Sequence, residues 1–415
     1  MLFSMAAESG VAARPLQRRR ALGLVAASHA GQHMYSGLLP LTYPAILLAF
    51  HLNYATLGLA VGLIGVVGGL TQASAGYVGR RVAARWVLGS QNLVVAICAI
   101  VQSLAPTYPL FATGQGLATL GSSQQHPVGS SVAARTYPKR RGMALSLTTI
   151  GGSFGSLVIP IPGALMIADL GWRPALLILS IPLFVMGIIL LLTFPPVPGE
   201  DRPRQHFLER PRLRLPRFNR SEFVNPRAAL FAILAATVAA GGRGLGTLNA
   251  YIPVYLRNGV HLPEVEVGAI FNLVLLGAVV GPLLGGYLSD RLGRIPVLWS
   301  AYLLSAAAVV AFGLAAHLPV VVLVVLALVV GLVAYVENPL LQALVSDSVT
   351  ARAQSSVFGV YFAVSYGVGS LWIIGLGQAI QHLGFATGFA IMAASYLGAG
   401  LLLIPCYRAL RAQHG

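Results

Sequence analysis

The 415-residue chain contains unusually little charge. Charged residues make up 9% of the sequence and hydrophobic residues 56%, whereas a soluble domain usually contains about 25% charged residues. This scarcity excludes an ordinary soluble globular domain and favours a membrane protein. Cysteine is also scarce, because the only two, Cys98 and Cys406, both fall within apolar runs. A disulfide framework or a cysteine-based metal site is therefore excluded.

The sequence instead contains many long apolar runs. A membrane-spanning helix needs about 20 mostly apolar residues, and the alternating strands of a membrane β-barrel are not seen. We therefore predict an all-α membrane protein with twelve transmembrane helices. The twelve predicted spans lie near residues 21–50, 56–78, 86–104, 109–133, 142–168, 173–194, 227–256, 264–289, 295–315, 319–346, 354–380 and 384–407.

The few charges are distributed unevenly. The formal net charge is +16, and nearly every Lys and Arg lies on the side of the spans that holds the N-terminus. Arg173 and Arg257 lie on the other side, and Arg243 lies within a span. This is the positive-inside pattern, and it predicts a multi-pass protein of the bacterial inner membrane with both termini cytosolic. A nucleic-acid role would need a folded basic face with aromatic platforms, so we expect a monomer in the lipid bilayer that binds no nucleic acid.

A stretch rich in proline and arginine, residues 195–226, divides the chain. It lacks a hydrophobic period, so we interpret it as a cytosolic basic linker between an N-terminal six-helix bundle, residues 1–194, and a C-terminal six-helix bundle, residues 227–415. The two bundles echo each other at spacings of 210 to 213 residues, as in the parallel repeats of transporters. The matched stretches are Gly76-Tyr77 with Gly286-Tyr287, His126-Pro127 with Asn338-Pro339, and Leu170-Gly171-Trp172 with Leu383-Gly384-Phe385.

Charged turns between the apolar runs resemble the loop signatures of a known family. Residues 286–294, Gly-Tyr-Leu-Ser-Asp-Arg-Leu-Gly-Arg, are similar to the cytoplasmic loop motif of the major facilitator superfamily, and residues 135–146 to its loop between helices 4 and 5. The resemblance implies the major facilitator fold, with two six-helix pseudo-repeats. At Gly286 we also expect a close backbone approach at a helix end. The resemblance implies a role in conformational exchange for Gly286, Asp290, Arg291, Gly293, Arg294, Arg135 and Arg141.

Several stretches within the spans resemble one branch of that superfamily, the fosmidomycin-resistance branch of drug/proton antiporters. This resemblance implies proton-coupled efflux and drug resistance. The stretches are His29, Tyr35 and Leu39-Pro40 in the first span, Gln125-His126-Pro127 in the fourth, and Gly151-Gly152-x-Phe154-Gly155-Ser156 in the fifth.

Two charged residues lie deep within predicted spans. Glu337 is the one acidic residue midway along a span, and Arg243 is the one basic residue at comparable depth. Charges within lipid are costly and mark functional sites by default, although such a pair can also serve only to hold two helices together. We predict that Glu337 couples transport to protons, because a carboxyl group can bind and release a proton as a contact with Arg243 is broken and made. Arg243 is predicted to bind substrate.

Polar side chains of other spans are predicted to line the substrate site. His29 and His33 lie four residues apart on one helix face, and His126 is expected to face the same cavity, although histidines in spans also hold helices together. The pair in the first span is too sparse for a metal site, so we predict no metal and no cofactor. The remaining predicted substrate residues are Gln125, Asn338, Asn249 and Tyr335.

These features predict a proton-coupled secondary active transporter that exports small organic compounds, anionic or amphipathic, by alternating access. Proton-coupled uptake of an organic anion such as a carboxylate is the alternative, since the residues do not fix the direction, and a membrane sensor without transport is a third. An enzyme is not predicted. The glycine-rich stretch 241–246 lies within an apolar span rather than after a strand, so it does not fit a nucleotide-binding loop.

Overall fold

The computed structural model describes residues 15–72, 82–197, 220–350 and 353–411. Within these ranges the chain is helical, and β-pairing is confined to one isolated antiparallel bridge between Phe223 and Val349. The prediction of an all-α protein is confirmed. Gly76-Tyr77 and most of the predicted linker, residues 198–219, lie outside the described residues.

The described helices follow one another as twelve membrane-length segments. Eight stretches are long and apolar enough to cross a membrane by length and composition, and one of them, Val357–Arg411, contains the last two segments. The segments are α1 (Pro15–Ala49), α2 (Tyr54–Gln72), α3 (Ala84–Leu104), α4 (Tyr108–Ser122 and Gln125–Thr136), α5 (Arg141–Val158 and Pro160–Leu170), α6 (Trp172–Thr193), α7 (Pro226–Ala239, continuing through Gly244–Leu248 and Asn249–Val254 to Tyr255–Gly259), α8 (Glu264–Leu292), α9 (Arg294–Leu314), α10 (Val320–Ala334 and Glu337–Asp347), α11 (354–383) and α12 (385–411).

Interruptions partway along α4, α7 and α10 lie next to polar residues. α4 breaks at residues 123–124 and α10 at 335–336, so Gln125 and Glu337 each begin a second helical segment. α7 breaks before Arg243, whose backbone is extended with φ −59° and ψ 130°, and then continues as a π-helical turn. Discontinuous helices commonly form the binding sites of secondary transporters, because their free backbone groups can face a ligand.

Glycine turns reverse the chain between successive helices. Gly171 between α5 and α6 has φ 90° and ψ 165°, and Gly384 between α11 and α12 has φ 81° and ψ 171°. These two positions are matched in the sequence repeat, and they share a conformation that glycine adopts without strain. Gly293 makes a similar turn between α8 and α9, with φ 88°.

The prediction of a close backbone approach at Gly286 is wrong. Gly286 lies inside α8, where an added Cβ would meet nothing within 4 Å, whereas an added Cβ at Gly285 would lie 2.4 Å from a Val336 methyl group of α10. Successive helix residues point about 100° apart, so only Gly285 faces the neighbouring helix.

Apolar side chains cover the outside of the bundle as well as its core. Leu192, Leu283 and Leu401 are 78%, 71% and 67% exposed. Soluble proteins rarely expose large apolar areas, but lipid is the solvent that such side chains require. Inside the bundle, small residues let helices approach closely: an added Cβ at Gly155 of α5 would lie 2.1 Å from the Ala30 carbonyl oxygen of α1.

The two six-helix halves meet on the side of the bundle away from the termini. Gly268 near the start of α8 packs directly on Ala164 near the end of α5. The backbone N–H of Tyr54 at the start of α2 donates to Gln381 Oε1 near the end of α11 at 3.0 Å. Deeper in the bundle the halves enclose a cavity.

Candidate functional site

This central cavity has a volume of about 240 Å³ and is lined by both halves. Two larger clefts exist, one apolar between α1, α5 and α6 and one at the surface beside His51, but neither is lined by a buried charged side chain. Ligand sites combine an apolar wall with a few convergent polar groups, and the central cavity fits that description. Its polar lining consists of His29, His33, His126, Thr149, Ser153 and Ser156 from the first half and Arg243, Tyr335, Glu337 and Asn338 from the second.

Arg243 and Glu337 form a buried ion pair at the wall of the cavity. Arg243 Nε lies 3.2 Å from Glu337 Oε1, and the two side chains are 6% and 2% exposed. Glu337 Oε2 is buried and makes no hydrogen bond to the residues that the structure describes. The Tyr302 side chain lies beside the same carboxyl group. One carboxylate oxygen is thus held by the guanidinium, and Tyr302 is the polar side chain nearest to the rest of the carboxyl group among the contacts of the described residues.

The guanidinium of Arg243 is held by three helices. Nη1 donates to the Ser365 carbonyl of α11 at 2.6 Å, and Nη2 donates to the Ala236 carbonyl of α7. The Tyr366 ring lies 4.7 Å from Cζ in a cation–π contact. Each of the three nitrogen atoms therefore has a partner, while Nη1 and Nη2 each keep a second N–H.

The break in α7 and the break in α10 make this pairing possible. The break in α7 places Arg243 opposite the new N-terminus at Glu337, where free backbone N–H groups stabilise negative charge. Gly244 provides room for Tyr335, since an added Cβ would lie 2.3 Å from the Tyr335 ring. The Tyr335 hydroxyl donates in turn to Asn249 Oδ1. Tyr335 lines the cavity as predicted. Asn249 does not line it, in contrast to the prediction, but accepts the hydrogen bond of the Tyr335 hydroxyl.

Three histidines converge on the opposite wall of the cavity. One ring nitrogen from each of His29, His33 and His126 lies within 4.8 Å of the other two. His29 Nδ1 lies 2.6 Å from the Thr148 carbonyl oxygen, and His33 Nδ1 lies 2.9 Å from the Ser156 hydroxyl. His126 is exposed to the cavity. The expectation that the first-span pair is too sparse for a metal thus left out a third ring, which α4 supplies.

Gln125 does not line the cavity, in contrast to the prediction. Its Oε1 accepts from the Ser28 hydroxyl at 2.9 Å and from Gln91 Nε2, while Asn92 Nδ2 donates to Ser28 Oγ at 2.7 Å. These four side chains form a buried neutral network between α1, α3 and α4. The helix rotation at the start of the second α4 segment turns Gln125 into the bundle and His126 into the cavity.

Asn338 does reach the cavity, at the helical turn that Glu337 begins. Its Oδ1 accepts from Gln342 Nε2 at 2.9 Å and lies 3.4 Å from the Tyr361 hydroxyl. Asn338 also interacts with the Tyr366 hydroxyl.

The predicted motif residues lie on the side of the termini, away from the cavity. Arg294 Nε bonds Asp347 Oδ2 at 2.5 Å, and Arg294 Nη1 lies 4.0 Å from Asp290 Oδ1. Arg294 thus joins the α8–α9 turn to the end of α10. Arg291 stacks on the Tyr287 ring with Cζ 4.4 Å from its centre. Arg135 and Arg141 are exposed at the turn between α4 and α5.

Several residues of these contacts were missed by the sequence analysis. Asp347 lies at the end of one span and Arg294 at the start of another, and an acid and an arginine at such positions are a recognisable pair. Thr148 and Ser365 act through backbone carbonyls, and a carbonyl leaves no signal in side-chain chemistry. Tyr302 has no sequence signal that separates it from other membrane tyrosines.

The fold and the site define a polytopic membrane transporter, with two helical halves around a polar central cavity. The chain belongs to the Major Facilitator Superfamily, whose family model matches residues 25–373. The predicted family resemblance is therefore confirmed, and the protein is a transporter rather than an enzyme.

Similar proteins span almost the whole chain. The fosmidomycin resistance protein of Escherichia coli (strain K12) is 23% identical over 396 residues, which is 93% of each chain. A probable 4-methylmuconolactone transporter of Cupriavidus pinatubonensis is 23% identical and covers 92% of this chain and 88% of its own. Among solved structures, a bacterial homologue of the human lysosomal transporter Spinster, in an inward-facing and occupied conformation, aligns with a TM-score of 0.75 at 16% identity. That alignment covers 96% of this chain and 98% of that one.

Proposed function

We propose that the protein is a proton-coupled secondary active transporter that exports small organic anions or amphipathic compounds by alternating access. In this proposal the protein lies in the bacterial inner membrane, and both termini and the linker at 195–226 are cytosolic. The export direction is supported by the similarity to a resistance protein of Escherichia coli. The observation that carries the proposal is the buried Arg243–Glu337 pair at the wall of a cavity between the two halves.

The pair supports a coupling mechanism in three steps. While Glu337 is ionised, its carboxylate holds Arg243 Nε, and the charges of the two side chains cancel. A proton on Glu337 weakens this contact, since the attraction between opposite charges is lost. The weakened contact lets α7 move against α10 as one half rocks on the other, and release of the proton forms the pair again.

Proton-coupled uptake of an organic anion is a second candidate, and one specific observation favours it. The Glu337 carboxylate already holds Arg243 Nε, and while it is ionised it repels a second anion at the same guanidinium. An anion that binds Arg243 therefore does so most easily when Glu337 is neutral, so proton and anion bind together. An exporter that exchanges protons for substrate requires the opposite, because substrate and proton must then compete.

The deciding experiment measures binding and flux separately. Purified protein is titrated with a panel of carboxylates, phosphonates and amphipathic anions at several pH values, in the presence of a metal chelator. Binding that weakens at acid pH supports exchange and export, and binding that strengthens supports uptake with a proton. Flux into proteoliposomes under an imposed proton gradient then tests the direction itself.

Glu337→Gln is the variant that tests the proton carrier. Glutamine has nearly the shape of protonated glutamic acid but does not titrate. We expect accumulation against a gradient to be lost, while ligand binding and ligand–ligand exchange persist. A variant that still concentrates substrate with the pH dependence of the wild type would show that Glu337 does not carry the proton.

A further inference from the structure

The His29 ring has the environment of a metal ligand. Its Nδ1 lies 2.6 Å from the Thr148 carbonyl oxygen, and a carbonyl only accepts hydrogen bonds, so the proton sits on Nδ1. Nε2 must then carry a lone pair. That atom is buried without a hydrogen-bond partner among the described residues, and the residue as a whole is 7% exposed. Metal-ligating histidines show this arrangement, in which one nitrogen donates to a carbonyl and the other faces the ion.

Two further imidazoles stand beside this lone pair. The ring centre of His29 lies 4.6 Å from that of His33 and 4.8 Å from that of His126, and the rings are close to perpendicular. His33 Nδ1 can donate to the Ser156 hydroxyl at 2.9 Å, which leaves its Nε2 free for an ion as well. The helices hold the three rings from different directions: α5 fixes the first two through Thr148 and Ser156, and α4 supplies the third.

The spacing of the rings fits a small cation after a modest adjustment. Zinc–nitrogen bonds of about 2.0–2.1 Å place tetrahedral ligand atoms about 3.4 Å apart, and one ring nitrogen of each histidine lies within 4.8 Å of the others. His126 is exposed to the cavity, so its ring can turn toward the other two. Gly152 leaves room for the His29 ring, since an added Cβ there would lie 2.8 Å from it.

We propose that His29, His33 and His126 form a binding site for one divalent transition-metal ion of the Zn²⁺ type, with a fourth position open to the central cavity. Imidazole is a preferred ligand of Zn²⁺ and Ni²⁺, and three protein ligands with one position left for water or a ligand are a common arrangement around zinc. Among the described residues that line the cavity, Glu337 supplies the only carboxylate, and it is paired with Arg243. The ion therefore retains its positive charge, and water or an anionic oxygen of a ligand completes its coordination.

The test is metal binding to the purified full-length protein in detergent, with an affinity tag that contains no histidine. ZnCl2 is titrated by calorimetry, and CoCl2 by visible absorption, which reports tetrahedral coordination. We expect one ion per chain. His126→Gln and His33→Gln should each weaken Zn²⁺ binding by at least about tenfold, the loss that removal of a supporting partner alone can cause.

His382→Gln is the matched control, because His382 is exposed near the end of α11, away from the cavity, and this variant should bind Zn²⁺ as the wild type does. Elution volume and thermal unfolding of each apo-protein show whether the variants remain folded. Binding that does not saturate at one ion per chain, or affinity that is unchanged in both His126→Gln and His33→Gln, would overturn the proposal. Metal binding is measured without flux, so it stands or falls separately from proton-coupled transport.

Discussion

Each half of the protein has a polar residue at the same position of the repeat, 212 residues apart, but the two residues differ in their chemistry. Gln125 begins the second segment of α4 and accepts hydrogen bonds from Ser28 and Gln91. Glu337 begins the second segment of α10 and pairs with Arg243. Helix interruption and burial are thus shared, while the buried Arg–carboxylate pair of the described residues lies in the second half.

The difference separates a structural role from a functional one. The neutral network of Gln125 contains no titrating group, so it has no means of responding to a proton. A buried ion pair gains little stability over apolar packing, but it responds to a proton. The comparison therefore predicts that changes in the second half alter coupling, whereas equivalent changes in the first half alter only stability.

Arg243→Ala should have the largest effect on stability. It leaves Glu337 buried without its counter-charge, and breaking a buried pair in this way costs about 3–5 kcal/mol. Thermal unfolding in detergent should show a strong loss, which the double variant Arg243→Ala/Glu337→Gln should partly restore. Arg243→Lys should rescue little, because an ammonium group cannot hold Glu337, Ser365 and Ala236 with a planar fork. Equal loss in the single and double variants would mean that the charge pair is not the cause.

Gln125→Leu should cost less and leave coupling intact. It removes the acceptor of Ser28 and Gln91, and leaving buried donors unsatisfied costs about 1–3 kcal/mol. The substrate-to-proton ratio measured in proteoliposomes should equal that of the wild type, since no titrating group is changed. A changed ratio would show that the first-half network takes part in coupling and that the contrast between the halves is false.

Gly155→Ala tests the close packing of α5 against α1, the helix that carries His29 and His33. The added methyl would meet the Ala30 carbonyl oxygen at 2.1 Å, so α1 and α5 must separate, and such overpacking typically costs about 1–3 kcal/mol. Gly142→Ala in the same helix is the control, because nothing lies within 4 Å of that position. We expect Gly155→Ala to lower the unfolding temperature and Gly142→Ala to leave it unchanged or raise it. Similar behaviour of the two variants would contradict the close contact of α1 with α5.

Asp290→Asn should have the smallest effect on stability. The Asp290 side chain is 77% exposed and lies 4.0 Å from Arg294, and exposed ion pairs contribute about 0–1 kcal/mol. Its expected effect is instead kinetic, a slower exchange between conformations with unchanged equilibrium ligand binding, because the motif lies away from the cavity. Ligand exchange rates and binding constants measured on the same preparation separate the two. Weakened binding at an unchanged rate would remove the motif from conformational exchange.

The sequence by itself determined the membrane class, the twelve helices and the family. These follow from local properties: each apolar run must satisfy its backbone within one helix once it is in lipid, and the charged turn at 286–294 is contiguous in the chain. The rarity of charge in the spans also singled out Arg243 and Glu337, since any ion at that depth is conspicuous.

Only the tertiary structure decided which polar groups share a space. Gln125 and His126 are neighbours in the sequence. The break at residues 123–124 sets the helix rotation that places Gln125 in a buried network and His126 at the cavity. Gly286 and Gly285 are distinguished in the same way by the helix face that meets α10. The third histidine joined the first two because α4, α5 and α1 pack together, and such a contact depends on helix rotation and depth, which a one-dimensional pattern does not contain.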